Sequence, residues 1–397
     1  VNVAELQGAA RARWATVVVF ATQALLFASW TAHIPLVKER LHLGDADLGM
    51  ALFGAPIGSL VAMLLTGWLL PRLGSRRMVQ LCLAGYCATA WTVGVANSWL
   101  TLFAALILWG AFQGSLDVSM NAQALFVERR LGKPVMSGFQ GTWSLGAFVG
   151  VAIGALAVSA GVPLVVQLVV LSAVVATAAG VATRAMVPDP PHHEGGHTTV
   201  GLGVWLHPVV IALGAIVLAG MLCEGAVADW SAVYLRDSLG AAPGFAALGY
   251  ASYSAVMVVQ RLAGDRLLAR FAPRTILPVL AAVATVGMIA ALLVGSPMLA
   301  LAGFATLGLG LALVIPAAFT AVGRLPGIHA GSAVAAISAI GWIGFVAGPP
   351  LIGHIAEAVT LPVALGLLPL MTGAIALTVR ATHLLAPALP AAVSTEA

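Results

Sequence analysis

The sequence predicts an all-α membrane protein whose twelve transmembrane helices form two six-helix halves, related by a pseudo-twofold axis along the membrane normal. Three observations carry that expectation. Only 8% of the 397 residues are charged and 61% are apolar, against roughly 25% charged in a soluble protein, which excludes a water-soluble globule. Uncharged runs of about 20 residues, each long enough for ~30 Å of hydrocarbon, recur along the whole chain. Local patterns in the first half then return about half a chain length later.

The first six spans are expected at 14–35, 46–70, 78–97, 100–127, 138–160 and 164–186. The first, from Trp14 to Pro35, is long enough to cross and is followed by no A-x-A cleavage site, so it reads as a helix and not as a leader peptide. The second six are expected at 205–232, 246–264, 275–295, 298–322, 332–355 and 362–380. Between them residues 187–204, rich in Pro, His and Gly, read as a linker joining an N-terminal half, 1–186, to a C-terminal half, 205–397. His192, His193, Glu194 and His197 in that linker are metal-ligand types, but a solvated linker offers nothing to orient them. No metal and no cofactor is expected.

The basic residues set the orientation. Arg11, Arg13, Arg72, Arg76, Arg77, Arg129, Arg130, Lys133, Arg184, Arg261, Arg266, Arg270, Arg274, Arg324 and Arg380 are expected on one side, and only Lys38, Arg40 and Arg236 on the other. The positive-inside rule then places both termini and the linker in the cytoplasm, for a multi-pass protein of the inner membrane. These charges are scattered in small groups and make no nucleic-acid stripe. Cys82, Cys87 and Cys223 all fall in apolar runs, where they serve as small apolar residues.

The internal repeat is specific enough to align. Ala28-Ser29-Trp30-Thr31-Ala32 matches Ala228-Asp229-Trp230-Ser231-Ala232, and Leu48-Gly49 matches Leu248-Gly249 at the same offset. Leu69 to Arg76 aligns with Leu267 to Arg274, and Gly146 and Gly150 align with Gly344 and Gly348. Two halves of the same orientation follow. With these residues the whole chain resembles the major facilitator superfamily of transporters. The family's G-x-L-x-D-R-x-G-x-R-R loop appears as Gly67-Trp68-Leu69-Leu70-Pro71-Arg72-Leu73-Gly74-Ser75-Arg76-Arg77, with Pro71 in place of the acid. In the second half the stretch Asp265 to Arg274 has Ala269 at the corresponding position. The resemblance implies a cytoplasmic gate at Arg72, Arg76, Arg77, Asp265, Arg266 and Arg270, altered by the missing acids.

Asp117 to Ala122, Glu224 to Trp230 and Gly348 to Gly353 are similar to stretches of the fucose-permease-like branch, which implies sugar-type solutes and proton coupling. The R-x-x-Q-G signature of drug antiporters is only partly present, as Gly110-Ala111-Phe112-Gln113-Gly114 without the arginine. The resemblance further implies that the first, fourth, seventh and tenth helices line a central cavity while the third, sixth, ninth and twelfth face lipid.

Polar residues inside the spans nominate the site. Gln113, Asp117 and Asn121 are spaced i, i+4, i+8 and share one face within about 80° of arc. An acid at a helix centre costs about 2.5 to 3.5 kcal/mol on insertion scales, so Asp117 faces protein or water, as pathway group or as interhelical hydrogen-bond partner. Glu224 shares a stripe with Ser231, whereas Asp229 points about 140° away and lies nearer the outer end. Gln23 and Trp30 on the first span, Gln140, Trp143 and Ser144 on the fifth, and Trp230 on the seventh add amide, hydroxyl and aromatic groups. So do Tyr250, Tyr253 and Ser254 on the eighth span and Ser338 and Trp342 on the eleventh. Aromatic faces with amides and carboxylates suit a sugar, though Trp30 and Trp342 equally suit helix packing. His33 and His354, near outer helix ends, read as solvated or satisfied.

No G-x-S-x-G elbow, H-E-x-x-H helix or Walker A lysine occurs, so neither an enzyme nor an ATP-driven pump is indicated. A channel filter needs repeated rings that two nonidentical halves do not supply. The expectation is a monomeric secondary transporter whose partners are the lipid bilayer, a small-molecule substrate and a coupling proton. Glu224 is assigned as proton carrier, with Asp117 fixing solute or a partner amide. Export of hydrophobic compounds is the alternative.

Overall fold

A computed structural model describes residues 3–132, 135–187, 202–323, 325 and 330–381. Its long helices are α1 (Val3–Thr31), α2 (Asp45–Leu73), α3 (Ser75–Val95), α4 (Trp99–Leu131), α5 (Met136–Ser159) and α6 (Leu164–Ala182) in the first half. The second half has α7 (Pro208–Ser238), α8 (Leu248–Arg270), α9 (Pro273–Val294), α10 (Pro297–Val322), α11 (Ala330–Ala358) and α12 (Leu361–Ala381). Eleven helices among the described residues are long and apolar enough to cross a membrane. The remaining one, α8, carries Arg261, Arg266 and Arg270 in its second half. Almost all of the expected linker, and with it His192, His193, Glu194 and His197, lies outside the described residues; Leu202–Trp205 forms a short helix.

Three spans are interrupted, and proline gives the reason. The breaks at Phe53 in α2, at Ala312–Leu313 in α10 and at Gly366 in α12 each fall three or four residues before a proline, namely Pro56, Pro316 and Pro369. A proline donates no hydrogen bond to the carbonyl four residues back and its ring crowds that carbonyl, so the helix steps there. At its far end α7 widens into a π turn over Tyr234–Ser238, which carries Arg236 and Asp237.

Small residues let the central helices touch backbone to backbone. A Cβ on Gly146 or Gly150 of α5 would stand 2.1 Å from the Ala21 carbonyl or 2.2 Å from the Leu25 carbonyl of α1. The repeat reproduces this contact: a Cβ on Gly344 of α11 would stand 2.3 Å from the Leu218 carbonyl of α7. The α1/α5 and α7/α11 pairs are therefore equivalent close-packed units, held by the small-residue contacts that membrane helices use in place of hydrophobic drive. Outside them α6 exposes Val166, Val169, Val170 and Val174, and α9 exposes Val279, Val286, Leu293 and Val294, as lipid-facing helices do.

The two ends of the bundle differ. At one end Lys38 bridges Asp45 at 2.6 Å and Asp237 at 2.7 Å, while Arg236 pairs with Glu39. All three ion pairs among the described residues lie here, and two of them join the halves. Burial works against the Lys38 charge, but the hydrogen bonds that its ammonium donates to Asp237 and Asp45 outweigh it and hold its pKa above the usual lysine value. Gly44, the N-cap residue of α2, offers no side-chain cap. Glu357 of α11 supplies one across the interface, accepting from the Asp45 N–H at 2.8 Å and the Ala46 N–H at 3.4 Å. Backbones also meet, since a Cβ on Gly49 would stand 2.5 Å from the Pro349 carbonyl. This Lys38 end is shut.

At the opposite, Arg76 end the contacts of the arginines stay within one half. Arg72 donates to the Trp68 carbonyl at 2.6 Å and lies 3.8 Å over that indole, and Arg76 donates to the Arg184 carbonyl at 3.2 Å. Gly74 turns the chain from α2 to α3 at φ 75°, a conformation that favours glycine. Arg77, Arg266 and Arg270 are exposed, and the Asp265 side chain lies outside the described residues.

Candidate functional site

Between the shut end and the arginines, polar side chains of α1, α4, α5, α7 and α8 face one another at the centre of the bundle. On the first half they form a connected set. Asn121 donates through Nδ2 to the Asp117 carbonyl at 2.9 Å and to its Oδ1 at 3.3 Å, and Gln140 Nε2 donates to Asn121 Oδ1 at 3.3 Å. The i, i+4 spacing of Asp117 and Asn121 is what closes the first link, and the α4/α5 contact closes the second. Beside them Trp143 Nε1 donates to Gln23 Oε1 at 2.7 Å, tying α5 to α1. Gln23 is itself placed by its carbonyl, which accepts from the buried Tyr86 hydroxyl at 3.1 Å. Gln113 is half-buried on the same face of α4 and makes no hydrogen bond among the described residues.

The second half contributes Glu224 and Asp229 of α7, both half-buried and neither with an ion pair or hydrogen bond among the described residues. Tyr250 and Tyr253 of α8 stack at 6.1 Å and lie within electrostatic reach of Glu224 and of Arg261. Among the described residues the Tyr253 hydroxyl is buried without a partner, as are Trp230 Nε1 and the Ser231 hydroxyl.

Arg261 lies deeper in the bundle than the other arginines of its side. Counted above with the loop arginines, it sits within α8, nine residues before Arg270 and so about 13 Å from that end of the helix. Its Nη1 donates to Ser144 Oγ of α5 at 2.6 Å, joining the two halves below the Lys38 end. The signal was present in the sequence, since the expected span 246–264 already contained it. Gln123 was also missed: fully buried, it accepts from Ser75 Oγ and donates to the Val187 carbonyl at 3.2 Å, fixing the ends of α3 and α6.

Other nominated residues lie elsewhere. Trp30 and Trp230 are buried in the core, 2% and 0% exposed, and do not join the connected set. Trp342 lines a separate apolar cavity of about 580 Å³ between α2 and α11, with Phe53, Leu60, Val346 and His354. Both histidines are hydrogen-bonded: His33 Nε2 to Gln167 Oε1 at 2.9 Å and His354 Nδ1 to the Pro350 carbonyl at 2.7 Å. Because Gln167 Nε2 donates to the Ser29 carbonyl at 2.9 Å, its Oε1 is the group turned to His33, and the imidazole donates. Among the described residues there is no cluster of three or more metal-ligating side chains.

Comparison with known proteins agrees with this architecture. The Major Facilitator Superfamily model matches residues 15–349. An uncharacterized MFS-type transporter of Yersinia pestis is 35% identical over 92% of this chain and 94% of its own. Membrane protein MosC of Rhizobium meliloti is 30% identical over 86% of this chain and 83% of its own. Among solved structures, the nucleoside transporter NupG superposes with a TM-score of 0.71 at 13% identity, covering 93% of this chain and 98% of that one. A bacterial homolog of the human lysosomal transporter Spinster, in an inward-facing and unoccupied conformation, gives 0.67 at 16% identity over 94% and 95%.

Proposed function

Because the chain belongs to the Major Facilitator Superfamily, and is therefore a multi-pass membrane transporter and not an enzyme, we propose that it carries a small polar, sugar-like solute by proton-coupled symport. The halves, 1–186 and 205–397 with the linker 187–204 between them, rock about the central site. Both termini and the linker are cytoplasmic in the inner membrane, so the Arg76 end faces in and the shut Lys38 end faces out. The conformation is then inward-facing, the state named for the Spinster homolog. Arg72, Arg76, Arg77, Asp265, Arg266 and Arg270 close the inner end in the opposite state, and the carrier works as a monomer.

The observation that carries the reading is the polar centre itself. The Asp117–Asn121–Gln140 series and the Gln23–Trp143 pair present amide, carboxylate and indole groups in an otherwise apolar bundle, as a hydroxyl-rimmed ring with apolar C–H faces requires. The sugar-type reading also rests on the resemblance to the fucose-permease-like branch. Asp117 is anchored by Asn121, which suits a group that positions solute, whereas Glu224 makes no hydrogen bond or ion pair among the described residues, which suits the coupling role. Purified protein in vesicles preloaded with unlabelled sugars and sugar acids should accumulate the matching labelled solute by counterflow. Absence of counterflow with every member of such a panel would refute the solute class.

The apolar cavity around Trp342 favours the second reading, proton-coupled export of hydrophobic compounds. Drug-dependent proton efflux from vesicles, with no response to sugars, would select it.

A further inference from the structure

Arg261 has no carboxylate partner among the described side chains. Its one hydrogen bond among the described side chains runs to a neutral hydroxyl, Ser144 Oγ at 2.6 Å, and every ion pair among the described residues is at the Lys38 end. A charge at membrane depth is expensive and is retained where it serves a pathway. The acids that share this centre, Asp117, Glu224 and Asp229, can each shed their charge by binding a proton. A guanidinium cannot, so its positive charge is permanent and its remaining N–H groups require acceptors.

The neighbouring stripe of α8, about 80 to 100° around the helix, also carries donors. Gln260 Nε2, next in the chain to Arg261, is buried without a partner among the described residues, and so is the Tyr253 hydroxyl, seven residues earlier on the same stripe as Gln260. Tyr250 and Arg261, eleven residues apart, lie within about 20° of each other on the helix. Asp265 stands one turn beyond Arg261 toward the Arg76 end. Two unsatisfied donors beside one fixed cation call for a ligand rich in acceptors and negative in charge.

We propose that the transported solute is an oxyanion, a polyhydroxylated compound bearing a carboxylate or phosphate that Arg261 receives while Gln260 and Tyr253 bind its oxygens. This deepens the function proposed above and rests on it. The guanidinium fork accepts two oxygens of one anionic group side by side, which neither neutral sugars nor amino sugars can offer. The protons taken up by the acids offset the anion's charge as it enters.

The test is binding of glucose, gluconate, glucose 6-phosphate and glucosamine to the purified full-length carrier, by thermal shift and by calorimetry. At least one of the two anions should bind tenfold or more tighter than glucose, and glucosamine should bind no tighter than glucose. Which anion leads identifies the carboxylate or the phosphate as the oxyanion. Arg261→Gln should weaken the preferred anion roughly tenfold to hundredfold, to the level of glucose, and Arg261→Lys should recover part of the loss. If glucose or glucosamine matches both anions, or the anion preference survives in Arg261→Gln, the inference is overturned while the sugar-like reading stands. If none of the four binds, both fall. Should Arg261→Gln not fold, the wild-type ranking and Arg261→Lys still decide.

Discussion

Glu224 and Asp117 illustrate how one chemical group takes two roles from its neighbours. Asp117 shares its Oδ1 with Asn121 at 3.3 Å, and Asn121 in turn receives Gln140, so its carboxylate is part of a fixed array. Glu224 belongs to no array among the described residues. Glu224→Gln keeps shape and one acceptor while removing titration, so solute exchange at equal concentrations should persist and pH-driven accumulation should disappear. Accumulation with unchanged pH dependence in that variant would move the coupling role away from Glu224. The i, i+4 relation of Asp117 and Asn121 was legible because helical spacing alone brings such residues together. Arg261 was legible only in part: the expected span 246–264 contains it, but counting charges by side groups it with the loop arginines, and its pairing with Ser144 has no local signature. The pairing of Gln23 with Trp143 was equally hidden, since a contact between residues 120 apart has no local signature.

Among the elements, the repeat was readable as glycines at a constant offset, and the structure supplies their meaning as close helix crossings. The equivalence is imperfect in an informative way. A Cβ on Gly150 would meet the Leu25 carbonyl at 2.2 Å, but one on Gly348 would find its nearest neighbour, the Leu222 carbonyl, at 3.8 Å. Gly150→Ala should therefore lower stability by about 1 to 3 kcal/mol through forced separation of α1 and α5, and Gly348→Ala should be nearly neutral. Thermal unfolding of the two variants in detergent makes the comparison, and equal losses would contradict it. Span count and order followed from hydropathy, which reports burial in lipid directly. The steps at Phe53, Leu313 and Gly366 did not, because a proline predicts a kink or an end with equal force until the packing of its helix is known. The π turn at Tyr234–Ser238 likewise left no mark in the apolar pattern.

For the whole molecule, the shut end is held by few and partly exposed charges. Surface ion pairs contribute at most about 1 kcal/mol each, so the double variant Glu39→Gln with Asp237→Asn should shift the population toward the state open at the Lys38 end roughly fivefold. Distances between spin labels on the two halves at that end would report it, and an unchanged distribution would show that the Gly49–Pro349 backbone contact and the Glu357 cap keep the end closed without these ion pairs. Sidedness is open to an independent check. In intact cells carrying an otherwise cysteine-free protein, an impermeant thiol reagent should label a cysteine at Ser238 and leave one at Gly195 untouched; the reverse pattern would invert the topology. Glu357 adds a consequence of a different kind. The first amides of α2 have their acceptor on the opposite half, and Gly44 has no side chain to replace it, so each opening hands the Asp45 and Ala46 amide protons to water. Their deuterium uptake is therefore a clock for the transport cycle, ticking once per opening. It should quicken with solute turnover and stop in a carrier cross-linked shut, with no label attached to the protein at all.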